Sequence, residues 1–197
     1  GGKNLQVCCQ KSKNGGFIYN PDDTIAVSWI GGSGNDWGTE ANWSGGNVPN
    51  DANYVVTIDL ASAAVTTSAA YTIGALTVGG TTTSSLTLGG NLILDSSLGA
   101  TGNLTIGTGG TLSAGSYTIT VAGNWDSNTG TFTQGTSQVT LTNTGNLNST
   151  GDTFYNLAVG AAGKTTTITS SLTVSNVLTI AASNGVLTDN AGGFKCG

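Results

Sequence analysis

The sequence contains no histidine and no methionine, and its five basic residues are all lysines. Only 8% of the residues are charged, against about 25% in an average globular domain. Without histidine or arginine, the chain has no Ser–His–Asp arrangement, no Cys–His pair and no arginine clamp. We therefore expect no catalytic residues and no enzymatic activity.

The acidic residues are scattered, and only two of them are neighbours in the sequence. Solvated turn aspartates are the simplest interpretation. A polysaccharide-cleaving enzyme that uses a carboxylate pair on adjacent strands is the least favoured hypothesis. The ten acids are Asp22, Asp23, Asp36, Glu40, Asp51, Asp59, Asp95, Asp126, Asp152 and Asp189.

Metal-binding patterns are also weak. The segment DSNTG, residues 126–130, has the D-x-N-x-G opening of a calcium loop, but it lacks the later bidentate glutamate. An Asx turn explains this segment more simply. The C-x2-C spacing of zinc sites is absent. We expect no metal and no cofactor.

The net charge is −5 and the pI is about 4.1. Nucleic-acid binding needs a basic surface that neutralises phosphates, and an anionic membrane also attracts basic segments. No apolar run approaches the roughly 20 residues of a membrane span. We expect neither nucleic-acid binding nor membrane insertion. The chain begins with Gly1 rather than methionine, which indicates a processed product or a fragment.

Short runs that alternate an apolar residue with Thr or Ser recur from about Val55 onward, and GG, NG, TG or SN pairs separate them. Alternation with period two predicts strands, and the separating pairs predict turns. The runs resemble one another and recur every 15–20 residues or so, the scale of one solenoid rung. We therefore predict an all-β, single-domain β-solenoid rather than a β-sandwich. The expected inward residues are Ile73, Leu76, Val78, Leu86, Leu88, Leu92, Leu94, Leu104, Ile106, Leu112, Ile119, Val121, Val139, Leu141, Leu157, Val159, Ile168, Leu172, Val174, Leu178 and Ile180.

The segment before the repeats is rich in tryptophan and predicts a cap over the first rung. It contains Trp29, Trp37 and Trp43, which are three of the four tryptophans. A solenoid end exposes strand edges and an open core, so a cap is expected there. Stacking of sugars on these rings is the alternative. The sequence divides into an N-terminal extension (1–24), a Trp-rich cap (25–60), solenoid repeats (61–188) and a C-terminal tail (189–197).

The pattern W-x-G-G…W…N-W-S-G-G-x-V-P, followed by the repeats, resembles bacterial surface and secreted β-helix proteins. These include autotransporter passengers and filamentous-haemagglutinin-like repeats. The resemblance covers about Trp29 to Ile180, and the phrase GTFTQGTSQVTLTNTG carries part of it. It implies a right-handed β-helix outside the cell, and such repeats serve as adhesins, stalks and surface fibres.

The three cysteines lie near the two ends of the sequence, at Cys8, Cys9 and Cys196. Adjacent cysteines rarely bridge each other because the small ring strains the peptide. A bond from Cys196 to Cys8 or Cys9 within one chain is open, since the N-terminal segment is long enough to fold back. A bond between successive copies is the alternative that we favour, and disulfides imply an oxidising compartment.

These observations predict a structural subunit of an extracellular or cell-surface bacterial filament. Copies of the chain would stack head to tail, exchange terminal strands and form disulfides between subunits. The residues 1–24 would make the contact between subunits. A fragment of a surface adhesin that binds glycans through the Trp-rich cap is the alternative, with surface glycans or other fibre components as further partners.

Overall fold

The computed structural model describes residues 9–11, 17–19, 23–181, 184–190 and 194–196, and it describes side chains between residues 23 and 190. Over these residues the protein is all-β and forms a β-solenoid of about seven turns. The predicted fold class is therefore confirmed. The one helix in the described part of the chain is the short 3-10 helix Glu40–Asn42.

The strands are short because turn residues interrupt the alternating pattern every few positions. In chain order they are β1 Cys9–Lys11, β2 Phe17–Tyr19, β3 Ile25–Ser28, β4 Asp51–Ile58, β5 Ala63–Thr66, β6 Tyr71–Val78, β7 Ser84–Thr87, β8 Leu92–Leu94, β9 Leu104–Ile106, β10 Gly110–Ser113, β11 Thr118–Val121, β12 Trp125–Asp126, β13 Thr131–Thr133, β14 Gln138–Leu141, β15 Gly145–Asn148, β16 Thr153–Val159, β17 Thr165–Ile168, β18 Leu172–Ile180, β19 Val186–Asp189 and β20 Phe194–Cys196.

Parallel pairing stacks these strands into three sides. Side A runs from the first half of β6 through β8, β11 and β14 to the second halves of β16 and β18. Side B runs from the second half of β6 through β9, β12, β15 and β17 to β19. Side C begins with β5, β7, β10 and β13. Phe154 lies 5.4 Å from Phe132 between ring centroids, so the first half of β16 continues side C.

The core consists of aliphatic columns in which equivalent residues of successive turns stack in register. On side C, Val65 pairs with Leu86, and Leu86 pairs with Leu112. All three are at most 1% exposed. Parallel register places equivalent side chains on the same face of the sheet, so each turn extends the same dry interior.

The expected inward residues are buried, with two differences at the last turn. Leu178 is only partly buried and Ile180 is 47% exposed. Both have inward register, because Leu178 pairs with Leu157 and Ile180 pairs with Val159. Among the described residues, no strand stacks on this half of β18 from the other side, so these side chains keep one face in solvent.

An aromatic cluster fills the middle of the solenoid. Trp125 makes edge contacts with Phe132 and Phe154, at centroid distances of 4.8 and 5.1 Å. Its indole N–H donates to Ser127 Oγ at 2.8 Å. Sequence reasoning missed this cluster because WD and TFT are too short to show a period. The isolated aromatic residues in a chain otherwise built of Val, Leu and Thr were the available signal.

The carboxylate of Asp59 is held by four donors on the next turn. Thr81 and Thr82 each donate a backbone N–H and a hydroxyl to it, with hydroxyl distances of 2.7 and 2.8 Å. The hydrogen bonds from the Thr81 and Thr82 side chains, followed by those from the backbone, lower the pKa of Asp59 to about 2. Hydrogen bonding to the charged form favours that form.

We expect Asp59→Asn to lower the thermal midpoint by about 2–4 °C at pH 6 and by much less at pH 2. The folded pKa lies below the unfolded value of about 3.9. The stabilisation is therefore complete above about pH 4 and is lost as the pH falls towards 2. Thermal denaturation followed by circular dichroism measures both values. Asp95→Asn is the matched control, because the Asp95 carboxylate accepts one bond, from Ser97 N–H. An equal deficit for Asp59→Asn at both pH values would contradict the assignment.

Candidate functional site at the two ends of the solenoid

Three tryptophans pack together at the N-terminal end. Trp43 makes edge contacts with Trp29 and Trp37 at centroid distances of 5.1 and 4.7 Å. Trp37 Nε1–H donates to the Pro49 carbonyl at 3.1 Å, and Trp43 Nε1–H donates to the Trp37 carbonyl at 2.8 Å. Each ring thus buries its apolar surface, and the two most buried indoles satisfy their N–H groups.

The tryptophan segment also covers strand edges. Trp37 N–H donates to the Thr66 carbonyl and Thr66 N–H donates to the Asn35 carbonyl, both at 2.8 Å, so residues 35–37 lie along the edge of β5. Ser44 N–H donates to the Ser28 carbonyl at 3.0 Å at the end of β3. Covering an edge removes unpaired backbone groups that would otherwise attract another chain. β3 and β4 lie within the segment 25–60, and both pair in parallel with solenoid strands. The segment that was predicted as a cap therefore also supplies two strands of the solenoid.

The exposure of the three rings bears on the alternative of sugar stacking. Trp29 is 4% exposed, Trp37 is 0% exposed and Trp43 is 1% exposed. A sugar stacks on a free aromatic face, and these faces are occupied by other protein groups. The arrangement therefore has the geometry of a cap and offers no exposed ring for a glycan.

The last turn, in contrast, presents apolar side chains to solvent. Val177 and Ile180 on β18 are 49% and 47% exposed, and Val186 on β19 is 46% exposed. Ile180 lies one turn beyond Val159, which is 2% exposed. The inward column is therefore complete up to β16 and stops uncovered at β18. Sequence reasoning predicted burial for Ile180 and did not single out Val177 or Val186.

Exposed large hydrophobic residues are concentrated at the two ends. Of the six in the described part of the chain, Val177, Ile180 and Val186 lie on the last turn, and Ile30 and Leu60 lie at the N-terminal end. The remaining one, Ile93, lies on side A. Val177 and Val186 have outward register, because they pair with Asn156 and Thr165. Ile180 is therefore the residue of inward register that the last turn leaves exposed.

The backbone places two of the three cysteines in strands. Cys9 lies in β1, opposite Tyr19 of β2 in an antiparallel hairpin. Cys196 lies in β20, opposite Val174 at the edge of the last turn. Cys8 lies outside the described residues, as does the predicted extension 1–24 except for the two hairpin strands and residues 23–24. The pairing of Cys8 or Cys9 with Cys196 therefore stays a prediction.

The acidic side chains that the sequence offered as possible metal or catalytic groups have separate hydrogen-bond partners in the structure. Asp126 Oδ1 accepts from Asn128 N–H at 3.1 Å, which is the Asx turn expected in place of a calcium loop. Asp152 Oδ1 accepts from Phe132 N–H at 3.2 Å. Partial burial raises the pKa of Asp152, although hydrogen bonds from Ser127 and the Phe132 backbone oppose the rise. Over the described residues no three acidic or cysteine side chains are grouped closely enough to hold a metal ion.

Comparison with protein-family models, curated proteins and solved structures finds no match for this chain. Within the described ranges, none of the helical structure has the length and apolar character that a bilayer crossing requires.

The candidate functional site is the last turn of the solenoid, where Ile180 is exposed and the second half of β18 has no further strand beside it among the described residues.

Proposed function

We propose that this chain is a structural subunit of an extracellular bacterial filament or surface fibre. Copies add head to tail, so that the N-terminal end of one solenoid covers the last turn of the next. The observation that carries this proposal is the uncovered inward column at the last turn, where Ile180 is 47% exposed directly beyond a fully packed turn. Docking of a further turn would remove this surface from water.

Backbone groups supply the second part of the contact. The second half of β18 has no strand on its outer edge among the described residues, and such an edge pairs readily with another chain. Heterologous contacts of this kind produce open filaments because they do not close on themselves. Extracellular location is part of the proposal, since disulfides form in oxidising compartments.

The hairpin of β1 and β2 suits the role of a connecting element. Its strands contain three residues each, and an isolated two-stranded hairpin is marginally stable in water. Docking against the last turn of a neighbouring copy would stabilise it. Such docking also brings Cys8 and Cys9 towards the turn that carries Cys196, and in a polar filament Cys196 can pair with only one of the two.

The adhesin alternative has no comparable observation in its favour, because the tryptophan rings at the cap are buried. An adhesin that binds glycans has no need for its chains to stack, whereas a filament subunit must self-associate. Self-association is therefore the property that separates the two functions.

The test is the assembly state of the oxidised chain, measured by sedimentation velocity and by electrophoresis with and without reductant. We expect polymers and a reducible ladder, with Cys196 linked to Cys8 or Cys9 of another chain by mass spectrometry of the peptides. Ile180→Lys places a charge on the apolar end and is expected to abolish the polymers. Thr133→Lys, an exposed position on side C, is the matched control. A monodisperse monomer under oxidising conditions would refute head-to-tail assembly.

A further inference from the structure

The corner between β18 and β19, on the last turn, contains an Asn–Gly pair. Asn184 is exposed and has a φ of 56°, in the left-handed region that residues other than glycine rarely adopt. The register of the flanking strands places Asn184 over Gly163 of the preceding turn, which has a φ of 69°. Asparagine visits this conformation more readily than most residues, so it can stand where the preceding turn has glycine.

Gly185 completes the pair because a side chain has no room at this position. A Cβ there would overlap the carbonyl group of Gly160 on the preceding turn, whose carbon lies at 2.7 Å. This corner therefore needs a residue that tolerates a left-handed backbone, followed by a residue without a Cβ. Asn–Gly meets both needs. The glycine also leaves its own backbone nitrogen unhindered towards the preceding side chain, since it has no Cβ that would crowd the approach.

The asparagines at the corner before side B are held differently. Asn103 Oδ1 accepts from Asn124 N–H at 2.7 Å, and Asn124 Oδ1 accepts from Asn146 N–H at 2.8 Å. These bonds fix each carboxamide against the next turn, and a large side chain follows each of the three asparagines, at Leu104, Trp125 and Leu147. Within the described ranges, Asn184 is the only asparagine that precedes a glycine. The other Asn–Gly pair of the sequence, residues 14–15, lies outside those ranges.

We propose that Asn184 is a site of spontaneous deamidation, with water as the co-reactant. The Gly185 backbone nitrogen loses its proton to hydroxide and attacks Cγ of Asn184. The new bond closes a five-membered succinimide ring, and the bond from Cγ to Nδ2 breaks, so that ammonia leaves with a proton from water. Water then opens the ring. Cleavage of the bond from nitrogen to Cγ gives aspartate, and cleavage of the bond from nitrogen to the Asn184 backbone carbonyl carbon gives isoaspartate.

Both products change the last turn. Isoaspartate carries its side-chain methylene in the main chain, so it lengthens the corner. The residues after the corner are held in register, because Val186 N–H donates to the Lys164 carbonyl at 3.0 Å and β19 pairs with β17. A longer corner disturbs this attachment. In either product an ionised carboxylate also replaces the neutral carboxamide.

The consequence for assembly rests on the proposed function. A neighbouring copy covers the last turn in the proposed filament, and burial of an ionised carboxylate is costly unless the charge is paired. Deamidation of Asn184 therefore lowers the ability of a free end to accept another copy. Chains that stay unassembled for long lose assembly competence in this way, whereas freshly made chains keep it.

The first measurement is the amount of isoaspartate at each asparagine after the full-length chain has stood for weeks at mildly alkaline pH. Peptide mass spectrometry and enzymatic methylation of the isoaspartyl carboxyl group quantify it. We expect about tenfold more isoaspartate at residue 184 than at residue 103, a barrier difference of about 1.4 kcal/mol. Asn184→Gly is the matched control, because Gly163 shows that glycine suits this corner, and it should abolish the signal in that peptide.

The same incubation is made with Ile180→Lys, the variant that is expected not to polymerise. An intact Asn184 in both the native and the Ile180→Lys chain would overturn the proposal, as would equal isoaspartate at residues 184 and 103. These results concern the modification alone and do not depend on whether the chain assembles.

The second measurement compares polymer formation by incubated chains after oxidation. We expect the native chain to form severalfold less polymer than Asn184→Gly, although both contain Asn14. A fresh Asn184→Asp chain, which has the charge without the added main-chain atom, separates the two effects and should also form less polymer. Equal polymer from incubated native and Asn184→Gly chains would overturn the consequence for assembly. Absence of polymer from the fresh native chain would instead refute the proposed function and leave the result on isoaspartate as it stands.

Discussion

Replacing Trp125 by alanine is expected to lower the free energy of unfolding by about 3–5 kcal/mol. The side chain is 0% exposed, and it contacts Phe132 and Phe154 on the neighbouring side C. Alanine would leave a cavity between two sides of the solenoid, and the rigid stack of turns limits how far that cavity can collapse. Because small proteins are stable by only about 5–15 kcal/mol, this loss is a large fraction of the total.

Urea denaturation followed by far-UV circular dichroism measures this effect. Tyr155→Ala is the control, because Tyr155 neighbours Phe154 in β16 but is only half-buried, and it should cost less than 1 kcal/mol or so. Trp125→Phe separates two contributions, since it keeps an aromatic ring and leaves Ser127 Oγ without the indole N–H. We expect an intermediate loss of about 1–3 kcal/mol. Similar values for Trp125→Ala and Tyr155→Ala would show that the cluster is not a core element.

Replacing Gly110 by alanine is expected to cost about 1–3 kcal/mol, although it adds a single methyl group. A Cβ at this position would meet the Val78 carbonyl on the preceding turn, with the Val78 carbonyl carbon at 2.7 Å and the Gly107 carbonyl oxygen at 3.0 Å. These are backbone atoms, and they cannot rotate away as a side chain can. The turns would have to separate at the corner between β9 and β10, which weakens the parallel pairing on both sides of it.

Gly45→Ala is the matched control for Gly110→Ala. Neither glycine has a positive φ, so the two substitutions differ mainly in space. A Cβ at Gly45 meets Val27 Cγ1 at 3.4 Å, an ordinary contact. Gly45→Ala should leave the urea midpoint unchanged or raise it slightly, because alanine reduces the entropy of the unfolded chain. If both variants lost the same stability, the close approach of Gly110 to the preceding turn would not be the cause, because Gly45 makes no such approach.

The columns of the core were predictable from the sequence. Leu86 and Leu112 occur in runs in which apolar residues alternate with Ser or Thr, and period two defines which side chains share a face. Turn residues separate the runs, so each run had to be a strand. The buried positions of the repeats therefore followed from local pattern, up to the last turn.

The same local pattern could not predict that Ile180 is exposed. Ile180 belongs to the run LTVSNVLTI and has the pattern of a buried residue. Its exposure depends on whether another strand stacks beyond β18, which is a relation between turns and leaves no mark in the run itself. The tryptophan cap was predictable because Trp37 and Trp43 stand out in composition, but the edge of β5 that residues 35–37 cover was not.

The sequence by itself determined the class of fold, because alternation and turn chemistry act over a few neighbouring residues and recur in every turn. Only the tertiary structure decided which distant residues share a column. Ile93, Thr120, Thr140 and Ala158 are separated by 27, 20 and 18 residues (120 − 93, 140 − 120 and 158 − 140), yet they stack in register. The corners absorb these differences in length, and parallel hydrogen bonding sets the register. The open end, which carries the proposed function, arises from that register.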